Sequence, residues 1–244
     1  MESKSFLAVS EDRDIANAGA TPPQQAWEPP LVAAIRDWHQ SMPHRVRACL
    51  ISSLHKLSHG PTGGRLTFGS MFSGTDVASK VVHCLCAFWL KEYGIQIQVE
   101  VKFQNEIDKD KQHFLMGEFP ERGLLWSDAA AVNEARLLNI KQGGLSERLE
   151  SVDVDVAGFS CKSRSPLNNK AKANKGCVQA QEGETGNAIA FTLLYISTRR
   201  PRLVILENVT GLDQADDKAG MSRLWATTPS CTPLMHHNMA QYAR

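Results

Sequence analysis

The sequence predicts an α/β fold, a mostly parallel sheet with helices on both faces. Two observations carry that reading. From Leu66 onward, short apolar or period-two stretches alternate with helically patterned ones, and the apolar stretches end in small, acidic or amide residues. With 42% hydrophobic and 22% charged residues in 244, the chain can also bury a core. That length fits one full domain with a flanking piece, or two small ones.

The elements follow in order. Residues 1–30 are polar and proline-punctuated (TPPQQAWEPP) and read as a flexible arm. Across 31–60 the apolar residues Leu31, Val32, Ile35, Trp38, Val46, Leu50, Leu54 and Leu57 are spaced helically, with a break at Pro43, so two short helices are expected. HGPTGG ends that segment. LTFGSMF (66–72) reads as a strand that stops at Ser73–Gly74, and a helix follows with Val77, Val81, Val82, Leu85, Phe88 and Trp89 on one face. IQIQVEVKF (95–103) alternates as a second strand, and a helical stretch starts at Asp108. GLLWSDAA holds a short third strand and VDVDVAGF (152–159) a fourth. A helix over 186–199 then leads to RLVILENV (202–209), read as a buried fifth strand. The tail 213–244 has no strong period and is left irregular.

Composition excludes several classes. No apolar run approaches the roughly 18 residues of a membrane span, and the N-terminal MESKSFLAVSEDRD does not read as a secretory signal. With 27 basic and 26 acidic residues the net charge is +1, so nucleic-acid binding needs a local basic patch. The six cysteines include no C-x-x-C pair, which disfavours structural zinc and suits reduced thiols inside a cell. No metal ligand set is assigned.

Right-handed crossovers put the C-terminal ends of parallel strands along one edge, where such sheets bind ligands. Projected onto that edge are FSGTD, NEID, SDA, SCKS and ENV. The glycine turn FSGTD lets backbone approach a ligand, or is a plain tight turn. Glu106 suits both hydroxyls of a ribose, while Asp108 alternatively caps the next helix. Asp128 suits an amino group on a base, or likewise caps a helix. Cys161 lies in a turn of small residues ahead of Lys162, Arg164, Lys170, Lys172 and Lys175, cations that favour the nucleophilic thiolate; its bland alternative is a buried small hydrophobe. Glu207 and Asn208 end an apolar strand, and burial there would favour a proton-donating acid; the alternative is a structural acid bonded to backbone N–H groups.

In order, MFSGTD, QNEIDKDKQHFLMGEFPERGLLWSDAA, DVDVAGFSCKSRS and RRPRLVILENVTGL resemble the motifs of the cytosine-5 methyltransferases, over about residues 66–212. The resemblance implies a Rossmann-like S-adenosylmethionine methyltransferase core of five parallel strands, spanning 65–212 and incomplete at its C-terminal end. It implies that Phe72, Ser73, Gly74 and Thr75 contact the cofactor's ring and methionine end. Glu106 would hold the ribose, Ile107 would pack on the adenine, and Asp128 with Ala129 would read its amino edge. Cys161 would attack C6 of a flipped-out cytosine and Glu207 would bond to N3 and the exocyclic amine. Ser160, Lys162, Arg164 and Asn208 would line the substrate side. The implied partner is DNA, with RNA as the other substrate the family uses, and the implied location is intracellular, the nucleus in a eukaryote.

The chain departs from the family's pattern in three respects, one being that the motif between nucleophile and glutamate is only weakly kept as GETGNAIAF. Ser160-Cys161-Lys162 stands where most members have Pro-Cys-Gln, which loosens the turn that aims the thiol. After Gly211-Leu212 no Gln-x-Arg-x-Arg motif, target-recognition region or closing helix is recognisable. The expectation is therefore the cofactor half of an enzyme, either active alone, completed by a second subunit, or an inactive remnant.

Overall fold

The computed structural model describes residues 28–119, 123–146, 148–160 and 183–208. Residues 1–27 of the expected arm, the basic stretch from Cys161 and the tail lie outside these residues, while the arm's last three residues, Glu28–Pro30, open the first helix rather than staying irregular.

Helices α1 (Glu28–Ser41) and α2 (His44–Ser58) meet at Pro43, as the proline break required. The core sheet then forms from β1 (Arg65–Met71), β2 (Gln98–Asn105), β3 (Leu124–Trp126), β6 (Val154–Gly158) and β7 (Leu203–Glu207). Their order is β3-β2-β1-β6-β7 and every pairing is parallel. This is the Rossmann-like α/β arrangement expected. Between β3 and β6 lie a 3₁₀ turn (Ala129–Asn133) and an antiparallel pair, β4 (Leu137–Asn139) and β5 (Gly144–Ser146), which the sequence pattern did not announce.

Alternation along the strands, shifted on β2 by an irregularity between Val101 and Phe103, assigns the two faces. Leu66 on β1 and Val99 on β2 pack with α3 (Val77–Tyr93), together with Ile35 of α1 and Leu54 of α2. Met71, Phe103 and Ala157 point the other way, into a core completed by Tyr195 of α5 (Gly183–Arg199). Phe103 lies edge-on to both Trp126 and Tyr195. Its ring occupies the place that a Cβ on Gly69 would fill, which is why β1 carries a glycine in mid-strand. The register also slips between Phe68 and Gly69, where Phe68 faces Val101 but Gly69 faces Phe103.

Three expectations need correction. Val77 is 59% exposed, because it opens α3 beyond the reach of the core, whereas Lys80 is buried with its ammonium over Phe114 and Phe119. The second strand starts at Gln98 rather than Ile95; Ile95 and Ile97 are buried ahead of it as the chain leaves α3 through Gly94. The fifth strand is not buried. Leu203 and Ile205 are 49% and 47% exposed, since β7 is an edge of the described sheet and one of its faces has no described cover. Among the described residues no helix is long and apolar enough to cross a membrane.

Candidate active site

β1 leaves the sheet into the turn Phe72–Asp76, where Phe72 (φ 55°), Gly74 (φ 57°) and Asp76 (φ 50°) all sit in the left-handed region. Side chains disfavour that region, so two non-glycine residues held there mark a turn whose surroundings over-determine it. The surroundings are visible. The Asp76 carboxylate accepts from Ser79 N at 3.2 Å, capping α3, and from Gln104 Nε2 at 2.5 Å. Lys141 Nζ donates in turn to Gln104 Oε1 at 3.0 Å. Ser73 N donates to the Asn105 carbonyl at 2.7 Å, and Ser73 Oγ accepts from Asn105 N at 3.1 Å. No heavy atom lies within 4 Å of where a Cβ on Gly74 would stand, so the turn faces open space.

Glu106 closes the other wall of this turn. It is only 6% exposed; Oε2 accepts from Gly74 N at 2.7 Å and Oε1 from Asp108 N at 2.9 Å. A carboxylate oxygen has two lone-pair positions, so each keeps one for a further donor. Two free acceptors side by side match a vicinal diol. Ile107, 75% exposed, offers an apolar surface next to them. Asp108 takes the capping alternative, accepting from Asp110 N and Lys111 N at the start of α4 (Lys109–Glu118).

At the end of β3, Asp128 Oδ1 accepts from Ala130 N at 2.9 Å and caps the 3₁₀ turn, with Ala129 buried behind it. Trp126 Nε1 holds the Asp128 carbonyl at 3.0 Å. Asn105, which sequence reasoning passed over, joins the two turns. Its Nδ2 donates to the carbonyls of Trp126 (3.1 Å) and Ser127 (3.2 Å), while its own backbone bonds Ser73. The signal was present as an amide directly before the acid in NEID. Gly74, Glu106, Ile107 and Asp128 are thus brought around one edge of β1, β2 and β3.

The second group gathers at β6 and β7. Gly158 pairs with Glu207, and a Cβ on Gly158 would stand 3.4 Å from Glu207 Oε2. Asn208 Nδ2 donates to the Phe159 carbonyl at 2.9 Å and ties the two strand ends together. Ser160 is half-buried. Cys161, Lys162 and Arg164 lie outside the described residues. Glu207 is exposed, so the burial expected of it is not found; it stands on the edge strand.

Two buried polar groups lie beneath this edge and were not foreseen. Asp155, 0% exposed in mid-β6, has no hydrogen-bond partner for either oxygen among the described residues, and burial pushes its carboxyl up to about 7. Burial first and the Asp155 charge second raise the Tyr195 phenol above its ordinary range, and Arg199 acts in the opposite sense. The Arg199 guanidinium is buried and has no hydrogen-bond partner among the described residues either. At the opposite strand ends, Asp153 Oδ2 accepts from Thr67 N and Oγ1, and Arg202 Nη1 lies 3.2 Å from Oδ1. Burial opposes the charged form there, but these bonds outweigh it and hold the Asp153 carboxyl below its ordinary value.

No protein-family profile matches the chain. Over 147 residues it is 27% identical to the DNA (cytosine-5-)-methyltransferase DMT5 of Cryptococcus neoformans var. grubii, an alignment covering 60% of this chain and 6% of that protein. The chain is similar to a methyltransferase. It spans only a small fraction of that relative's length. Among solved structures it aligns with a proposed RNA methyltransferase from Pyrococcus horikoshii at 15% identity and a TM-score of 0.32, covering 72% of this chain and 70% of that one. A proposed class I S-adenosylmethionine-dependent methyltransferase from Listeria monocytogenes aligns at 17% identity and a TM-score of 0.30, covering 64% and 43%. The strand order itself, rather than these alignments, establishes the fold.

Proposed function

We propose that the chain is an S-adenosylmethionine-dependent methyltransferase module that methylates C5 of cytosine in DNA through a covalent adduct with Cys161. The observation that carries the reading is the pairing of Gly158 with Glu207, which puts the strand leading to Cys161 beside the strand bearing a carboxylate at the ligand edge. The similarity to a DNA (cytosine-5-)-methyltransferase supports the same reading.

The residues present fit the cofactor. Glu106 keeps one acceptor position on each oxygen for the ribose hydroxyls, Ile107 offers an apolar face to the adenine, and Gly74 leaves room for the methionine end. Asp128 would read the adenine amino group through the oxygen not used in capping. When bound, S-adenosylmethionine supplies an electrophilic methyl group to a C5 carbon made nucleophilic by the protein. The chain's own side chains prepare that carbon. The Cys161 thiolate adds to C6, and Glu207 bonds to N3 and the exocyclic amine so that negative charge gathering on the ring is neutralised. Loss of the C5 proton then expels the thiolate and restores the ring.

The test is a covalent trap. Fluorine at C5 blocks the final elimination, so the protein incubated with S-adenosylmethionine and 5-fluorocytosine DNA is expected to run as a shifted band on a denaturing gel. Cys161→Ala should lose that band. Adduct formation on substituted RNA instead of DNA would overturn the DNA assignment. A second reading, a module that turns over only when further polypeptide completes it, is favoured by the half-exposed Leu203 and Ile205. Folded protein that binds S-adenosylhomocysteine yet forms no adduct would decide for it.

A further inference from the structure

Between Asp37 and Asp76 the chain carries no acidic residue, yet Arg45, Arg47, Lys56, Arg65, His39, His44, His55 and His59 all fall there. In a chain with 27 basic and 26 acidic residues, this is a local basic patch of the kind that a polyanion needs. Most of it is on α2.

One side of α2 is committed to the interior, where Leu50, Ile51, Leu54 and Leu57 pack toward α3. The other side exposes Arg45, Ala48, Cys49, Ser52, His55, Lys56 and His59 at helical spacing. Neither Arg45 nor Lys56 has an ion pair among the described residues, whereas Arg36 pairs with Glu92 and Arg65 with Glu100. Helix stability does not explain Arg45 and Arg47, because cations near a helix start oppose its dipole and the first turn of α2 holds no acid. The small side chains between the basic ends let an extended backbone come close.

We propose that this face of α2 is a contact for the phosphate backbone of duplex DNA, separate from the candidate active site. Arg45 and Lys56 are about 16 Å apart along the helix axis at ~1.5 Å per residue, a span of about five phosphates at ~3.4 Å each along one strand. A lipid surface fits less well, since a membrane-lying helix shows a bulky apolar face to the bilayer and that of α2 is already packed. The proposal rests on the methyltransferase reading only in choosing DNA as the polyanion. α2 leads through Gly60–Gly64 to the start of β1, the strand end opposite the Phe72–Asp76 turn. The duplex would therefore be held at a second place.

The full chain, without cofactor, is titrated against a fluorescent 20-base-pair DNA duplex by anisotropy over a salt series. Arg45→Glu/Lys56→Glu is expected to weaken binding at low salt by about tenfold or more, and to lower the slope of log affinity against log salt by about 2, at ~0.9 per phosphate contact. Its melting temperature and its affinity for S-adenosylhomocysteine should match the parent. Arg136→Glu, an exposed basic position away from α2, should keep parental DNA binding. Should the double variant fail to fold, Arg45→Gln/Lys56→Gln replaces it and should lower the slope by about the same amount, since it loses the same two phosphate contacts at ~0.9 each. The proposal is overturned if the parent does not bind DNA, if the α2 variants bind like the parent, or if Arg136→Glu loses as much. Tighter α2-dependent binding to duplex RNA or to anionic phosphatidylserine vesicles would overturn the choice of occupant. A protein that forms no 5-fluorocytosine adduct but keeps α2-dependent DNA binding would refute the catalytic reading alone.

Discussion

The two halves of the sheet are built differently. Around β1, β2 and β3 every turn is tied to its neighbour by side chains: Asp76 to Gln104, Ser73 to Asn105, Asn105 to Ser127, and Glu106 to Gly74 and Asp108. Around β6 and β7 the carboxylate is exposed, two large apolar residues are half-exposed, and Asn208 bridges the strand ends. The first half is a preformed cradle that loses little entropy when a ligand arrives. The second ends in an exposed carboxylate on an edge strand, one of whose faces has no cover among the described residues.

The strongest way to break this comparison is to exchange the two carboxylates for amides. Glu106→Gln keeps the shape but turns one acceptor into a donor facing a backbone N–H, so S-adenosylhomocysteine affinity should fall by about 10- to 100-fold, the worth of hydrogen bonds to a charged group. Glu207→Gln should leave that affinity within about twofold while turnover falls by about 100-fold or more. Calorimetry and a methyl-transfer assay separate the two, and equal losses of affinity would erase the distinction between halves.

A smaller effect lies under the second half. Burial holds the Asp155 carboxyl up at about 7, above its unfolded value of about 3.9. The folded state therefore binds more protons over that interval. The stability Asp155 contributes is fully present below about pH 4 and is lost as the pH rises through 7. Asp155→Asn should raise stability at pH 8, by at most about 4 kcal/mol at ~1.36 kcal/mol per pKa unit, and change little at pH 4. Urea melts at the two pH values test this; a variant less stable at pH 8 would show that the charge has a partner in the native protein.

The smallest effect sharpens the contrast from the helical side. His39 is buried against Phe88 and Tyr93, and burial first, with Arg47 adding, holds its imidazole below the ordinary value. Its contribution is therefore present above about pH 6.5 and is lost as the pH falls through the lower folded value. Relative to the intrinsic amide rates at each pH, hydrogen exchange of α1 should quicken between pH 7 and pH 5 while that of β1 does not. Equal acceleration in both would place the switch elsewhere.

Periodicity and punctuation were sufficient for the architecture. The alternation in VDVDVAGF, the apolar run in RLVILENV, the break at Pro43 and the glycine after LTFGSMF each reflect a local constraint that a linear pattern records. The edge residues Gly74, Glu106 and Asp128 were legible for the same reason, since parallel crossovers send every strand end to one side. Asn105 was not, because its role is to reach Trp126 and Ser127, 21 and 22 positions away. The exposure of β7 was hidden too. An apolar strand reads as buried whether or not its cover is at hand, and only strand order reveals which strand stands at the edge.

By itself, then, the sequence determined the helices and the strands of the parallel sheet, and the edge at which Gly74, Glu106 and Asp128 gather, because each depends on contacts short in sequence or on chain handedness; the β4–β5 pair it left unannounced. Tertiary structure alone decided which carboxylate is held and which stands open. It also decided that the acid in mid-β6 is buried without a partner and that one side of α2 is a basic surface. Those outcomes depend on which residues meet across the fold, and no local pattern carries that information.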